Sequence, residues 1–371
     1  MTYPHDIQNA PRPRPPCGPL VLAGLALLAG CQSYPTREEI AASVVAVPAG
    51  PVATAPIDGR ARFRQVFCDV VEREGALPAG DPDCRTLLWR LTDEPAPQAG
   101  PAGALPPIDP TLRYFLVTGA LSDCFGPDAL PYREGVERLA ARGVTVGTIR
   151  VSGRSSASHN ARQIAGVLAA ALEPRERVVL LGYSKGAVDI LHFLVEFPDA
   201  ARQVAAVVSL AGPVLGSPLA ERGAWFYDHL LSQSFAQRCD PGDGGLADSM
   251  LPGLRQEWMA AHPPPAGVAY FSVAAFTTHP HLARTLRPSW RVLAGDDPRN
   301  DGQVLPADAL IPGSTLLGYA NADHWGLAIA IEREMPRLAS RPAGNALPQA
   351  SLLEAILRQV SETLAAGGGP P

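Results

Sequence analysis

Ser184 stands in Gly182-Tyr183-Ser184-Lys185-Gly186, at the joint between an apolar run, RVVLL, and a helix-patterned run, AVDILHFLVEF. A serine oxygen becomes a nucleophile when a tight turn lifts it toward a base and a carbonyl carbon. Gly182 and Gly186 suit such a turn, because neither presents a side chain that would crowd it or hold the helix off the strand. The chemistry is then nucleophilic attack assisted by a carboxylate and a histidine, which follow the serine in that chain order where a strand–turn–helix elbow carries it.

The downstream histidines differ in their settings. His192 lies eight residues on in the helix, turned away from Ser184, and reads as a packing or surface residue. His229 and His262 fall in a stretch that reads as an insertion, and His279-Pro280-His281 is a turn with no third nearby metal ligand. His324, in LLGYANADHWGLAIA, follows a short apolar strand and precedes a helical run, where a loop can present a base over a sheet edge. For the acid, WRVLAGDDPRNDGQVLP offers Asp296, Asp297 and Asp301. Asp301 is preferred, because Asn-Asp-Gly is a turn whose glycine can take positive φ and aim the carboxylate inward. Asp296 or Asp297 would serve if Trp290 to Leu293 were the relevant strand.

These residues resemble the α/β-hydrolase superfamily, and within it the bacterial lipase and esterase branch. The likeness rests on FLVTGALSDCFG (115–126), GYSKG (182–186), VVSLAGPVLGSPLA (207–220), and NDGQV with ADHWGLA (300–328), and covers about residues 110–363. The resemblance implies Ser184 as nucleophile, Asp301 as acid and His324 as base. It also implies an oxyanion hole made by the backbone N–H groups of Ala120 and Lys185. Many relatives have His-Gly where this chain has Thr118-Gly119. The expected activity is hydrolysis of a small-molecule or lipid carboxylic ester, with no cofactor and no metal. The Lys185 ammonium is taken as a solvated charge. A binding or structural protein on a hydrolase scaffold, and an acyltransferase with the same three residues, remain as alternatives.

The elements that would position these residues alternate strand and helix, which predicts an α/β fold with a doubly wound, mainly parallel sheet. Strands are expected at 113–118, 144–151, 177–182, 205–211, 268–275 and 315–320, and helices near 131–142, 160–172, 186–197 and 351–364. Asn160 and Gln163 have capping-box spacing, and Arg154 and His159 fall on a loop at the catalytic edge. An inserted helical cap at about 214–266 carries Trp225, Phe226, Tyr227, Leu230, Leu231, Phe235, Met250, Leu251, Trp258 and Met259. It would either shape a lipophilic ester site or pack onto the sheet.

The remaining segments read as follows. Residues 1–30 form a signal peptide, in which Arg12 and Arg14 precede GPLVLAGLALLAG, too short to span a bilayer. Leu28-Ala29-Gly30-Cys31 looks like a lipobox, implying a lipidated Cys31, and Gln32, where the family pattern for inner-membrane retention has aspartate, leads to the expectation of an outer-membrane anchor facing the periplasm. Residues 31–58 read as a membrane tether, 59–93 as a small helical hairpin, 94–110 as a Pro-rich linker, 111–364 as the catalytic domain and 365–371 as a disordered tail. Export would leave Cys68, Cys84, Cys124 and Cys239 for two disulfides, with three connectivities. Cys68 with Cys84, and hence Cys124 with Cys239, is preferred, and free thiols are the alternative. A net charge of −5 shows no nucleic-acid footprint, and 46% hydrophobic residues over 371 suffice for a sizeable core.

Overall fold

Strands rich in Val, Leu and Ala on both faces require cover on both faces, which is the signature of a parallel sheet. β3 (Leu112–Val117), β4 (Val146–Ile149), β5 (Arg177–Tyr183), β6 (Val204–Leu210), β7 (Ala269–Phe276) and β8 (Thr315–Asn321) form that sheet, with β6 and β7 buried along their whole length. The computed structural model describes residues 34–45, 55–77, 83–96, 105–124, 130–222, 240–330 and 347–367. Two short strands, β1 (Ile57–Asp58) and β2 (Leu88–Trp89), complete an eight-stranded sheet in the order β1-β8-β7-β6-β5-β3-β4, with β2 also on β8. Every pairing is parallel except β2 with β8. The strand expectations hold to within about two residues, with β4 shorter than read.

The period-two alternation of the strands sorts the core into two layers. Tyr114, Leu116, Val179 and Leu181 face one side, where they pack with α2 (Arg60–Glu74), α3 (Arg133–Ala140) and the C-terminal helix α10 (Gln349–Ala365). Phe115, Val117, Val178 and Leu180 face the other, against α4 (Ala157–Ala171), α5 (Lys185–Glu196) and α8 (Pro252–Ala261). Short helices α1 (Arg37–Ala41), α6 (Pro198–Ala201), α7 (Pro218–Arg222) and α9 (Arg287–Leu293) fill the connections. Trp258 and Met259, expected in a cap, pack into the second layer beside Val214 and Phe193.

Several sequence expectations change at the edges of the fold. The segment 31–58 is not wholly a tether: Thr36 and Glu39 form a capping box on α1, and Ile40 and Val45 are buried with Trp89 and Phe276. The expected hairpin has one helix, α2; its second arm holds a 3-10 turn at Cys84–Thr86 followed by β2, because that arm hydrogen-bonds to β8 rather than packing on α2 alone. Cys68 and Cys84 are bonded, with Cα atoms 5.5 Å apart. Cys124 is also disulfide-bonded; its expected partner, Cys239, lies outside the described residues. The start of the 94–110 linker is docked, since Glu94 is buried against Arg64 at 2.6 Å. Trp290 to Leu293 is helical rather than extended, with Trp290 and Leu293 buried on one side of α9. Helix α4 starts earlier than read: its N-cap is Ser156, whose Oγ accepts from His159 N, and Asn160 is buried inside the helix. The signal segment, Cys31, and Trp225, Phe226, Tyr227, His229, Leu230, Leu231 and Phe235 of the cap lie outside the described residues. Among those described, no helix is long and apolar enough to cross a membrane.

Candidate active site

β5 ends at Tyr183, and α5 begins at Lys185, so Ser184 alone carries the reversal of direction. Its φ of 53° and ψ of −130° lie where non-glycine residues seldom sit. The flanking glycines make the turn feasible. A Cβ on Gly182 would stand 2.4 Å from Ala187 Cα, and one on Gly186 would stand 2.5 Å from the Val117 carbonyl oxygen. Gly119, in the loop after β3, has the same constraint from the other side, with a Cβ meeting Ser184 Cβ at 2.8 Å. That loop can therefore lie directly against the serine.

The loop after β8 brings His324 over the elbow. Its Nε2 is 2.9 Å from Ser184 Oγ, and its Nδ1 is 2.7 Å from Asp301 Oδ2. An acceptor-only carboxylate at Nδ1 assigns the ring proton there, leaving Nε2 to accept from the serine hydroxyl. Asp301 is buried, and its second oxygen, Oδ1, accepts from Gln303 N at 2.8 Å and Val304 N at 2.7 Å. Gly302 has φ of 91°, the positive value that the Asn-Asp-Gly sequence called for. Asp296 and Asp297 point elsewhere: Asp296 pairs with Arg222, and Asp297 with Arg299.

Of the two amides expected to face a developing oxyanion, that of Lys185 follows Ser184 directly in sequence, and that of Ala120 follows Gly119, which abuts the serine. Lys185 is the first residue of α5, so its N–H has no intrahelical acceptor. The loop after β3 is braced by Leu121 N donating to Gly153 O at 3.0 Å, and by Ser122 Oγ donating to Thr118 Oγ1 at 2.9 Å. Arg154 and His159 have no hydrogen bond to Ser184 or His324; His159 stands 3.9 Å from Asp243 instead. His192 stacks on Trp258 at 4.1 Å, which is the packing role read for it. No group of three or more potential metal ligands occurs among the described residues.

The chain is 38% identical to the metagenomic carboxyl esterase MGS0156, over 87% of this chain and 97% of that one, with a TM-score of 0.76. This chain is an α/β-hydrolase of that family. A mature lipase from Bacillus licheniformis, BlEst2, is 20% identical over 64% of this chain and 96% of its own, with a TM-score of 0.49. No protein-family model and no curated protein matches the chain.

Three features of this hydrolase's site were not read from the sequence. Asp323, beside His324, is buried and holds the histidine loop by accepting from Ala283 N at 2.8 Å and Gly326 N at 2.7 Å. Adjacency to His324 was a usable signal, but it does not tell an inward carboxylate from a solvated one. Tyr183 donates its hydroxyl to the His324 carbonyl at 2.8 Å, and burial pushes that phenol far above its ordinary range, so it stays a donor. The Lys185 ammonium is not solvated: it is buried and paired with Asp189 Oδ1, one helical turn on. Desolvation outweighs the lysine and raises the Asp189 carboxyl.

Asp308 is expected to make stability depend on pH. Burial, and secondarily the Asp296 charge, push Asp308 up from an ordinary 3.8 to about 7. The folded state then holds this proton more tightly than the unfolded chain, so its contribution to stability falls as pH rises between about 4 and about 7. Asp308→Asn is expected to remove that slope. Urea unfolding should find the variant more stable than the parent by on the order of 1–2 kcal/mol at pH 8, after discounting for partial exposure, and equal to it near pH 4.

Proposed function

We propose that this hydrolase cleaves carboxylic esters through an acyl-enzyme on Ser184. The observation that carries the reading is the unbroken series Asp301 Oδ2, His324 Nδ1, His324 Nε2 and Ser184 Oγ at 2.7 and 2.9 Å. In this reading His324 takes the serine proton as Oγ attacks the carbonyl carbon, then returns it to the leaving alkoxide. Asp301 keeps the imidazole in the productive tautomer and stabilises its cation. The amides of Ala120 and Lys185 meet the oxyanion, already aimed and needing no reorganisation. Water, activated by the same histidine, then releases the acid. Similarity to a carboxyl esterase supports the choice of substrate class.

Labelling with a fluorescent fluorophosphonate tests the nucleophile, and p-nitrophenyl esters of increasing chain length test the substrate class. A folded wild-type protein that neither labels nor cleaves any of them would sink the reading. The close approach of Gly119 adds a sharper expectation. Gly119→Ala should lower kcat by roughly 10²-fold, because a displaced donor loop misplaces the reacting atoms by a fraction of an ångström or more. Its thermal unfolding should change far less than its turnover, and the two are read on the same preparation.

The N-terminal sequence supports a second part of the proposal, that the mature enzyme is a lipoprotein anchored through Cys31 and facing the periplasm. Each buried methylene of an acyl chain adds about 0.8 kcal/mol to membrane affinity, so several chains hold firmly. Intact mass of the purified envelope form decides this: a diacylglyceryl adduct on Cys31, absent in Cys31→Ala, is expected, and an unmodified N-terminus overturns it.

A further inference from the structure

Lys185 carries two groups with separate surroundings. Its N–H faces the proposed oxyanion, while its ammonium is buried behind the elbow against Asp189. Asp189 Oδ2 accepts from Asn160 Nδ2 at 2.8 Å, and the same nitrogen donates to Ser152 O at 3.0 Å. Asn160 is wholly buried and its Oδ1 has no partner, so the amide gives up its acceptor in order to bridge two others. That arrangement has an energetic cost, since a buried amide oxygen left unpaired loses its hydration without return. Nor does a buried lysine–aspartate pair account for itself through stability, because apolar residues of similar volume hold a fold as well or better.

The bridge leads to the other side of the site. Gly153, next to Ser152, accepts from Leu121 N at 3.0 Å and donates to Asp123 Oδ1 at 3.2 Å. Leu121 follows Ala120 directly and has φ of 59°, a conformation that a non-glycine residue keeps only when neighbours impose it. A side chain on Gly153 would overlap Asp123 Oδ1 at 2.3 Å and Leu121 N at 2.5 Å, so the two loops touch through backbone. Thr118 adds a parallel tie, since its Oγ1 accepts from Val151 N at 3.3 Å.

We propose that Lys185, Asp189 and Asn160, continued through Ser152, Gly153 and Asp123, form a positioning network that sets the two oxyanion donors, Lys185 N–H and Ala120 N–H, relative to each other. An oxyanion hole works only when both donors converge on one point, and one lies at the start of α5, the other on the loop after β3, far apart in sequence. The network joins those two elements without touching substrate. Its members are therefore positioning residues, and the inference rests on the reading of Ser184 as nucleophile.

The experiment cuts the network at both ends in the full chain. Asn160→Leu breaks the bridge and leaves the Lys185–Asp189 pair intact. Lys185→Met with Asp189→Leu removes both charges together, so that neither is stranded. Asp123→Ala cuts the far end. For p-nitrophenyl butyrate, each folded variant is expected to lose about tenfold in kcat with KM within about twofold, as for donors displaced but not deleted. Affinity for phenylboronic acid, whose serine adduct is tetrahedral and anionic, should fall by a matching factor. Asn160→Leu combined with Asp123→Ala should lose little more than either alone. Variants that unfold earlier but keep kcat and boronate affinity would overturn the inference, as would effects that multiply in the double variant. A wild-type protein inert to fluorophosphonate and ester would instead remove the nucleophile reading, and the network's role with it.

Discussion

Ser184→Ala is expected to reduce ester turnover by roughly 10⁵-fold or more while leaving the fold intact, because alanine removes only the oxygen from the elbow. Asp301→Asn should cost nearly as much, about 10⁴-fold, for a different reason. An amide at that position can donate to His324 Nδ1, which moves the ring proton to Nε2, where it blocks acceptance from the serine 2.9 Å away. Combining the two changes is expected to add little, since a serine without a base and a base without a serine leave the same residual catalysis. Steady-state kinetics of the three proteins checks this, with circular dichroism to show that each remains folded. A Ser184→Ala protein that retained more than a few per cent of turnover would place the nucleophile elsewhere.

The largest effect on stability is expected far from the site, at Glu94→Gln. Arg64 and Glu94 form a two-pronged pair with both contacts at 2.6 Å, and their side chains are 7% and 1% exposed. The same guanidinium donates to the carbonyls of Leu88 and Trp89, so it also holds β2. Without the carboxylate it keeps its charge in a site that water cannot reach, at a cost of about 3–5 kcal/mol. Thermal unfolding should drop by roughly 6–15 °C on the scaling for a domain of this size. Arg64→Met with Glu94→Leu, which removes both charges, should recover most of the loss. If the single variant melted within a degree or two of the parent, the pair would be an onlooker.

The parts of this structure that a reader could take from the sequence are those whose causes are local. RVVLLGY is apolar on both faces and ends in a glycine-flanked serine, so strand, turn and helix announce themselves within a dozen residues. Asn300-Asp301-Gly302 encodes its own turn, and His324 follows an apolar strand by three residues. What was missed depends on distant partners. Lys185 looks like a surface charge until Asp189 and Asn160 close around it, and Asn160 comes from another helix. β1 and β2 are two residues each, too short for periodicity to register, and are strands only because β8 offers an edge. Ser156, the cap of α4, is masked in the sequence by Asn160, which offers a similar pattern one turn later.

β8 has a consequence for the order in which the molecule can be assembled. It lies late in the chain, yet it is the shared neighbour of β1, β2 and β7. α10 repeats the theme, since Glu362 binds Arg62, Glu354 binds Arg142, and Ser361 receives Asp109 N. The first-made strands therefore have nothing to pair with until residue 315 has left the ribosome, and the first long helix waits for the last. A chain stopped short of β8 would lose more than its missing end: β1 and β2 would lose the strand they pair with, and the rim of β7 would stand open to any other strand. A truncation before β8 is therefore expected to open the β1 and β2 segments, far away in sequence, to added protease, and limited proteolysis of the truncated chain checks this.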